Sequence, residues 1–314
     1  ASAYITTTYG ESFKKVMDDV LACDYVGPFF KKPVENLIYC IKLESDGKKS
    51  LYSIDGLKSA EKIYDDVVGY ALSDRYVVAA IVKDGSLEAK VTVDGKIFAD
   101  ADFPKDLKVE PHQAYTVLDS SSGSIFMHVT TSSQTGFEYG SLLKSNSNGT
   151  YFVLSLDHVN RNEDGFVDFD RIDGLEGTIM ANIVSNYKDG KGPKKLQTLI
   201  SRNDGSEWDY LVPPAVDSNG KKYGCSGSSL EKCALHLHGF TERADYRDTY
   251  SSGSAVGFLI GVGNVGEYLS DMDSASTFLS TDGGVTWKEV KQGVYQWEYG
   301  DQGTILVLVD AVGE

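Results

Sequence analysis

The residues best suited by type to do chemistry are two histidines and two cysteines. His236 and His238 lie two positions apart in a strand-like segment, so their side chains project from one face of that strand. Cys225 and Cys233 precede them and could complete a zinc site, but the seven residues between these cysteines do not fit the usual zinc spacing. Simple packing is therefore favoured. An acid-sensitive contact is the alternative, because histidine changes its charge near a pH of about 6.5.

Two further stretches are similar to ligand-binding loops. Gly261–Gly266 spells G-x-G-x-x-G, but a dinucleotide site needs a helix to follow, and here a short polar segment and a hairpin follow. Asn160–Gly165 is similar to the start of a calcium loop, although Arg171 occupies the place of the bidentate glutamate. We favour a glycine-rich turn between strands and an exposed polar loop, so the sequence predicts neither a cofactor nor a metal.

A run of alternating charges, Thr241–Asp248, follows the two histidines. Such a run more often forms a salt-bridged loop, and ligand contact is the other interpretation. The candidate ligand-binding residues are Glu242, Arg243, Asp245 and Arg247.

These residues must be positioned by a turn that recurs along the chain. Its fullest copy is Ser280–Trp287, which has the Asp-box pattern S-x-D-x-G-x-T-W and lies between two strand-like segments. The Ser hydroxyl and the Asp carboxylate can bond to backbone amides of the turn, and the glycines accept a positive φ. The tryptophan can then pack beside a neighbouring sheet. The box therefore builds the fold and has no catalytic role.

Five further turns repeat the order of hydroxyl, acid or amide, glycine and aromatic residue in weaker form. The turn beginning at Ser201 is nearly complete, and those at Thr6 and Ser145 lack the acid. The turns at Ser53 and Thr92 are eroded. The structural residues assigned in this way are Ser280, Asp282, Gly284 and Trp287, then Ser201, Asn203, Gly205 and Trp208, and then Ser145, Gly149 and Phe152.

The spacing of these turns predicts the fold class. Turns that recur at roughly 40 to 80 residues and alternate with short strands are typical of a β-propeller, whose blades are four-stranded sheets. The apolar runs Tyr76–Val82 and Ala255–Val262 have the composition of strands covered on both faces. We therefore predict an all-β propeller with about six blades' worth of chain and no domain boundary within residues 1–314.

Composition limits the partners and the setting. The 314 residues carry a net charge of −16, which argues against nucleic acid and against anionic membrane surfaces as partners. The four cysteines allow three pairings; we favour the local pairs Cys23–Cys40 and Cys225–Cys233, with free buried thiols as the alternative. Oxidised pairs would imply a lumenal or secreted setting. Asn148 begins the one N-glycosylation sequon.

Hydropathy indicates no membrane span, because no apolar run reaches the roughly 18 residues that a span requires. Both ends of the sequence look cut from a longer chain. We therefore expect any membrane anchor of the parent protein to lie outside this fragment.

Much of the sequence resembles one family. Leu235–Glu267, continued by Thr277–Val290, closely resembles the fungal vacuolar sorting receptors of the sortilin family, the carboxypeptidase Y receptor type. Leu142–Leu156 and Gly174–Trp208 also resemble this family, as does the insertion that carries the second pair of cysteines. The resemblance covers most of the chain and is most specific in its second half.

The resemblance implies a receptor rather than an enzyme. The lumenal domain of the family is a ten-bladed propeller, so the box-bearing turns would form about six consecutive blades of it. Family members bind soluble vacuolar hydrolase precursors in the Golgi lumen and pass them to an endosomal compartment on the route to the vacuole. Protein or peptide cargo is therefore the partner that the resemblance implies.

The alternative function is an Asp-box glycosidase of the sialidase type. That chemistry needs three arginines that converge on the substrate carboxylate, a Tyr/Glu nucleophile pair and an acidic Asp. None of the six arginines opens a strand in the usual sialidase way; they are Arg75, Arg161, Arg171, Arg202, Arg243 and Arg247. A structural propeller that only assembles with other proteins is the third possibility.

Overall fold

The computed structural model describes residues 1–30, 33–56, 58–73, 76–84, 86–105, 107, 115–119, 123–243 and 250–311. Within these ranges nearly all regular structure is strand. The one described α-helix, α1, covers Phe240–Arg243, and short 3-10 turns cover Gly27–Phe29, Tyr187–Asp189, Met272–Ser274 and Asp301–Gly303. No helix in these ranges has the length and hydrophobicity that crossing a membrane requires.

The strands are short, because turns with glycine, asparagine or aspartate at positive φ interrupt them. The first ten are β1 (Ala3–Ile5), β2 (Lys14–Met17), β3 (Val20–Tyr25), β4 (Leu37–Leu43), β5 (Lys49–Asp55), β6 (Glu61–Tyr64), β7 (Val67–Ser73), β8 (Tyr76–Lys83), β9 (Ser86–Thr92) and β10 (Ala99–Asp100). The next eight are β11 (Tyr115–Asp119), β12 (Phe126–Ser132), β13 (Tyr139–Ser145), β14 (Phe152–Asn160), β15 (Phe169–Arg171), β16 (Ile179–Val184), β17 (Leu196–Ser201) and β18 (Asp209–Tyr210). The last six are β19 (Ala234–Leu237), β20 (Leu259–Gly266), β21 (Ser276–Ser280), β22 (Lys288–Gln292), β23 (Tyr295–Gly300) and β24 (Ile305–Asp310).

Consecutive strands pair antiparallel in sets of four. The sets β3–β6, β7–β10 and β19–β22 are separate four-stranded sheets, and β1–β2 and β23–β24 are two-stranded. The sets β11–β14 and β15–β18 belong to one longer sheet, because β14 also pairs with β16 through Val159 and Ile183. A meander of four antiparallel strands is a propeller blade. The predicted all-β propeller is therefore confirmed, with about six blades' worth of strands in the described part of the chain.

The chain forms two compact units. Unit 1 comprises Ala1–Met127 with Leu143–Leu154, and unit 2 comprises His128–Leu142 with Ser155–Glu314. The strands β12, β13 and β14 therefore contribute residues to both units.

Each unit has an apolar core built from alternating inward side chains of its strands. In unit 1 the main cluster is Val26, Phe30, Leu37, Tyr39, Ile41, Leu51, Val67, Val77, Ala79 and Ile81. In unit 2 the main cluster is Ile172, Met180, Ile200, Leu211, Leu235, Leu237, Tyr250, Leu259, Phe278 and Trp287. The box tryptophan is thus a core residue of unit 2.

The fullest box joins β21 to β22 and is closed by its own side chains. Ser280 Oγ accepts a hydrogen bond from the Gly284 N–H at 2.9 Å and donates to Asp282 Oδ1 at 2.8 Å. Asp282 Oδ1 also accepts from the Thr286 N–H at 2.9 Å. The indole N–H of Trp287 donates to the Gly284 carbonyl at 3.2 Å. The ring is therefore buried without leaving its N–H unpaired.

The box that joins β17 to β18 has the same bonds with an amide in place of the carboxylate. Ser201 Oγ accepts from the Gly205 N–H at 2.9 Å. Asn203 Oδ1 accepts from the Glu207 N–H at 2.9 Å. Trp208 donates its indole N–H to the Gly205 carbonyl at 3.2 Å. The neutral Asn203 therefore accepts the same turn hydrogen bond as the carboxylate of Asp282.

In the turn between β1 and β2, a threonine hydroxyl takes the hydrogen-bonding position that the Asp carboxylate has in the fullest box. Thr6 Oγ1 accepts from the Gly10 N–H at 3.1 Å, as the box serine does. Thr8 Oγ1 accepts from the Ser12 N–H at 2.9 Å, in the position of the acid.

The box between β13 and β14 is shifted by one residue from its sequence pattern. Asn146 Oδ1 accepts from the Thr150 N–H at 3.0 Å, four residues on, which is the bond that Asp282 makes in its own turn. Ser145 Oγ instead accepts from the Ile125 N–H at 2.7 Å and so joins this turn to the start of β12. Gly149 has the left-handed φ of the box glycine, at 72°. Phe152 is 3% exposed and takes the buried position of the box aromatic residue. Asn146 therefore makes the bond of the acid, and the Gly149 N–H donates to the Asn146 carbonyl at 3.1 Å instead of to the Ser145 hydroxyl.

Side chains tie successive strand sets together at these turns. In four places a donor from one set binds a carbonyl oxygen in the box turn of the following set. The pairs are Tyr39 Oη with Gly95 at 2.8 Å, Tyr76 Oη with Ser147 at 2.5 Å, Ser155 Oγ with Gly205 at 2.6 Å, and Arg202 Nη2 with Gly284 at 2.8 Å.

Both local disulfides are present, which confirms the predicted pairing. Cys23–Cys40 joins opposed positions of β3 and β4, and Cys225–Cys233 closes part of the connection between β18 and β19. The zinc alternative is wrong, because both of its sulfurs are in the second disulfide.

The glycine-rich stretch lies inside a strand, not in the turn that we expected. Gly261–Gly266 falls wholly within β20. An ideal Cβ on Gly263 would lie 1.8 Å from the carbonyl oxygen of His236 in the paired strand β19. Glycine is therefore needed for the close approach of these strands and not for a phosphate.

Candidate functional site

The residues with the most suggestive polar chemistry meet in unit 2, around a cavity of about 460 Å³ that we name the polar cleft. Its walls come from the turn before β13, the connection after β14, the start of β17 and α1. Its lining residues are Thr135, Gly136, Glu138, Asn160, Arg161, Asn162, Glu163, Lys194, Leu196, Thr241 and Glu242.

A buried carboxylate holds these walls together. Asp168 is 2% exposed, and its Oδ2 accepts from Asn160 Nδ2 at 2.8 Å and from Asn182 Nδ2 at 3.2 Å. Its Oδ1 accepts from the Thr241 N–H at 2.8 Å, at the start of α1. Burial raises the pKa of the Asp168 carboxyl, although the hydrogen bonds from Asn160, Thr241 and Asn182 act in the opposite direction. An ideal Cβ on Gly239 would lie 2.3 Å from Asp168 Oδ1, so that position must be glycine.

Lys194 fixes the wall formed by the connection after β14. Its Nζ donates to Asn160 Oδ1 at 3.0 Å and to the Arg161 carbonyl at 2.6 Å, and Glu138 Oε2 lies 3.5 Å away. Burial lowers the pKa of Lys194, and the nearby Glu138 opposes that shift. Burial also lowers the pKa of Arg161. The cleft therefore holds two cations that are partly withdrawn from water.

The stretch predicted to contact ligand begins at the opposite wall. Thr241 Oγ1 accepts from Asn160 Nδ2 at 3.1 Å, and the Thr241 carbonyl accepts from Asn162 Nδ2 at 3.2 Å. Glu242 lines the cleft, and its Oε2 contacts Nδ1 of the buried His238. Arg243 is the last residue of α1. The predicted contacts Asp245 and Arg247 lie outside the described residues.

The two histidines of the zinc alternative are interior residues. His236 Nδ1 accepts from the Thr198 N–H at 3.0 Å, and its Nε2 lies 3.1 Å from the Glu267 carbonyl. Burial lowers the pKa of His236 to about 4, so the ring is neutral near pH 7. No group of three His, Cys, Asp or Glu side chains that could hold a metal occurs in the part of the chain that the structure describes.

The calcium-like stretch is a wall of the cleft. Asn162 Oδ1 accepts from the Phe166 N–H at 2.9 Å, and Arg161 and Val167 form an antiparallel bridge. The side chains at Asn160 and Asn162 thus bind protein groups, as in the polar loop that we favoured from the sequence.

Sequence reasoning missed the centre of this site. Asp168 and Lys194 are separated from each other and from Thr241 by tens of residues, and no short motif contains them. The one usable signal was the density of asparagine and aspartate in residues 160–168, which we treated as an exposed loop. Asn148, the predicted glycosylation site, lies exposed in the turn between β13 and β14.

Comparison with known proteins gives a match over the whole chain. The Sortilin-Vps10 family model, described as sortilin, neurotensin receptor 3, matches residues 1–314. A vacuolar protein sorting/targeting protein 10 from Lodderomyces elongisporus is 72% identical over 309 residues, which are 98% of this chain and 21% of that protein. The protein of the same name from Candida dubliniensis is 66% identical over 322 residues, covering 100% of this chain and 20% of that protein.

Two other similarities are more distant. An uncharacterized membrane glycoprotein of Saccharomyces cerevisiae is 49% identical over 98% of this chain and 28% of its own length. Among solved structures, the β-propeller domain of the Trilobed protease from Pyrococcus furiosus covers 94% of this chain and 78% of its own, at 11% identity and a TM-score of 0.40. The chain spans about one fifth of the length of the first two curated relatives.

Proposed function

This chain belongs to the Sortilin-Vps10 family, and from that membership we propose that it is a cargo-binding part of a vacuolar sorting receptor. The cargo would be soluble vacuolar hydrolase precursors, carried from the Golgi to the endosome and vacuole. The observation that supports this proposal most is the 72% identity to a vacuolar protein sorting/targeting protein over nearly the whole chain.

The proposed setting is the lumen of the Golgi and endosomes. Two disulfides are stable in such oxidising compartments and rare in the cytosol. We also propose that the parent chain is anchored in a membrane outside this segment, because one relative is named a membrane glycoprotein.

The polar cleft is the proposed contact site for cargo. It offers two cations, three carboxylates and amide groups within one cavity, which suits the alternating donors and acceptors of a peptide segment. The network around Asp168 and Lys194 fixes the walls before cargo arrives, and such preorganisation reduces the entropy lost on binding. Glu242, Arg243, Asp245 and Arg247, the contacts predicted from the sequence, remain proposed contacts.

We propose binding without catalysis. The relatives are named for sorting and targeting, and the titratable groups of the cleft serve its architecture: Lys194 holds Asn160 and the Arg161 carbonyl, and Glu242 contacts His238. Hydrolysis of fluorogenic sialosides above background would favour the sialidase-type alternative instead.

The test is capture of a vacuolar protease precursor on the immobilised chain at pH about 7 and about 5, which brackets the titration of histidine. We expect saturable binding by the native chain at one or both values. Failure at both would contradict the receptor proposal.

Two charge reversals test the cleft itself. Glu163→Lys changes an exposed lining residue, and Glu176→Lys makes the same change at an exposed turn that is not among the lining residues. We expect the first to weaken capture about tenfold, since a lost charge contact and a new repulsion together amount to about 1.4 kcal/mol. Equal effects of the two variants would place cargo elsewhere.

A further inference from the structure

The connection between β18 and β19 is unusually long for this fold. It runs from residue 211 to residue 233, whereas two residues join β6 to β7 and two join β22 to β23. Connections longer than about 12 to 15 residues without regular structure are uncommon in compact domains and are usually either functional or disordered. We name residues 211–233 the disulfide loop.

The disulfide loop is held in a fixed shape. Cys225–Cys233 closes its second half, and Asp217 Oδ1 caps a turn by accepting from the Asn219 and Lys221 N–H groups at 2.9 and 2.8 Å. The loop is also tied to β22, since Tyr223 Oη donates to Glu289 Oε2 at 2.7 Å. A surface ordered in advance binds a partner with a smaller entropy loss.

This loop lines an open pocket of about 310 Å³ that has both apolar and polar walls, the polar ones including Lys222, Ser226 and Ser228. Its walls include Pro213, Pro214, Tyr223, Leu230 and Val265. Leu230 is 42% exposed at this pocket. The apolar walls can contact an apolar side chain of a partner, and the polar walls can bind its backbone.

Two exposed lysines border the pocket, together with the carboxylates of Asp217 and Glu289, which accept hydrogen bonds from the Lys221 N–H and the Tyr223 hydroxyl. Lys222 lines the pocket and Lys221 precedes it, and neither has an ion-pair partner among the described residues. Lys232, the third lysine of the disulfide loop, is paired with Glu267. In a chain with a net charge of −16, two adjacent lysines without carboxylate partners favour an acidic partner at this place.

We propose that the disulfide loop is a second docking surface, which takes an extended peptide segment of a partner protein with an apolar side chain followed by acidic residues. The apolar side chain enters the pocket between the prolines and Leu230. The acidic residues then lie against Lys221 and Lys222. This surface is separate from the polar cleft, and the proposal holds whether or not the cleft binds cargo.

The first test compares three acetylated, amidated peptides by isothermal titration calorimetry. One contains Pro-Leu-Leu-Glu-Glu-Asp, the second has Gln and Asn in place of the acids, and the third has Lys in their place. We expect the affinity to fall in that order, and the acidic peptide to lose most when NaCl is raised from 50 to 300 mM, because salt screens exposed charges. No binding of the acidic peptide, or preference for the lysine peptide, would overturn the proposal.

The second test reverses the two lysines. The double variant Lys221→Glu with Lys222→Glu should bind the acidic peptide about tenfold more weakly, as expected for two exposed ion pairs. The matched control is Lys49→Glu with Lys191→Glu, which changes the total charge equally at exposed positions outside the loop. An equal loss in the control would mean attraction to the whole chain and would contradict a local site.

Leu230→Ser tests the apolar half of the surface. It should weaken both the acidic and the neutral peptide several-fold, because both carry the same leucines. An unchanged melting temperature checks that the variant is folded. Unchanged binding of both peptides by the folded variant would rule out the pocket.

Discussion

At the scale of single residues, the box serine shows how a small side chain organises a turn. Ser280 is 1% exposed and bonds at once to Asp282 and to the Gly284 N–H. Burial raises the pKa of Asp282, but hydrogen bonds from Thr286 and Ser280 outweigh it, so the pKa is lowered overall. The acid therefore stays charged and keeps accepting the turn amides.

Removing this hydroxyl should destabilise the protein measurably. In Ser280→Ala the Gly284 N–H loses its acceptor inside the protein, which costs about 1 to 2 kcal/mol of the free energy of unfolding. Urea denaturation checks the value. Ser206→Ala, at an exposed serine in the turn that begins at Ser201, is the control and should change stability by less than about 0.5 kcal/mol. Equal losses in the two variants would show that the box hydroxyl has no special role.

His236 makes stability depend on pH. Its pKa is about 4 in the folded chain because the ring is buried, against about 6.5 when unfolded. Between these pH values the unfolded chain binds more protons than the folded chain. The contribution of His236 to the free energy of unfolding is therefore complete above pH 6.5 and is lost as the pH falls towards 4. We expect His236 to account for about 3 kcal/mol of the stability lost between pH 7 and pH 4.

The comparison of native protein with His236→Gln isolates this effect. Urea unfolding at pH 7 and at pH 4 should show a smaller difference for the variant, whatever its absolute stability. The same difference in both proteins would mean that His236 is not the group responsible.

Residue roles that depend on neighbours in sequence were predictable, and those that depend on distant contacts were not. The bonds of Ser280 and Ser201 span four residues, so spacing alone predicts them. Asp168 and Lys194 acquire their roles only when separate strands meet, and nothing near them in sequence indicates this. Ser145 falls between these cases, because its hydroxyl donates locally to the Asn146 carbonyl but accepts from the distant Ile125 N–H and not from the Gly149 N–H that the box pattern predicts.

At the scale of elements, the pairing of β19 with β20 depends on glycine. Gly263 lies opposite Leu237, and the space that a Cβ would need is taken by the His236 carbonyl. The two strands cannot separate freely, because Leu235 and Leu237 of β19 are in the main core of unit 2.

Gly263→Ala should therefore cost roughly 3 kcal/mol or more of the free energy of unfolding, through strain in the packed strands. The control is Gly69→Ala, also within a strand, where an added Cβ meets nothing within 4 Å. Thermal unfolding of the two variants checks the difference. A tolerated alanine at Gly263 would mean that the strands adjust without loss.

The elements were predicted better than their connections. Alternating and continuous apolar patterns predicted the strands. The boxes predicted the hairpins between the third and the fourth strand of each set. The shape of the disulfide loop and the helix α1 depend on tertiary bonds to Glu289 and Asp168, so sequence patterns did not predict them.

At the scale of the whole molecule, the charge of −16 opposes folding by mutual repulsion. Added NaCl screens this repulsion, so the melting temperature should rise by a few degrees between about 10 and 150 mM, as the Debye length falls from about 30 to 8 Å. Calorimetry at several salt concentrations checks this. The rise should level off above that range; a steady linear rise would indicate a salting-out effect instead.

The four bonds that run from one strand set to the box carbonyl of the next affect how the number of strand sets can change during evolution. Because each bond spans a single step along the chain, a substitution in one set is felt mainly by its immediate neighbours. Duplication or loss of a whole set would leave the remaining junctions chemically intact. Related proteins that share these bonds can therefore differ in their number of strand sets while each set keeps its own structure.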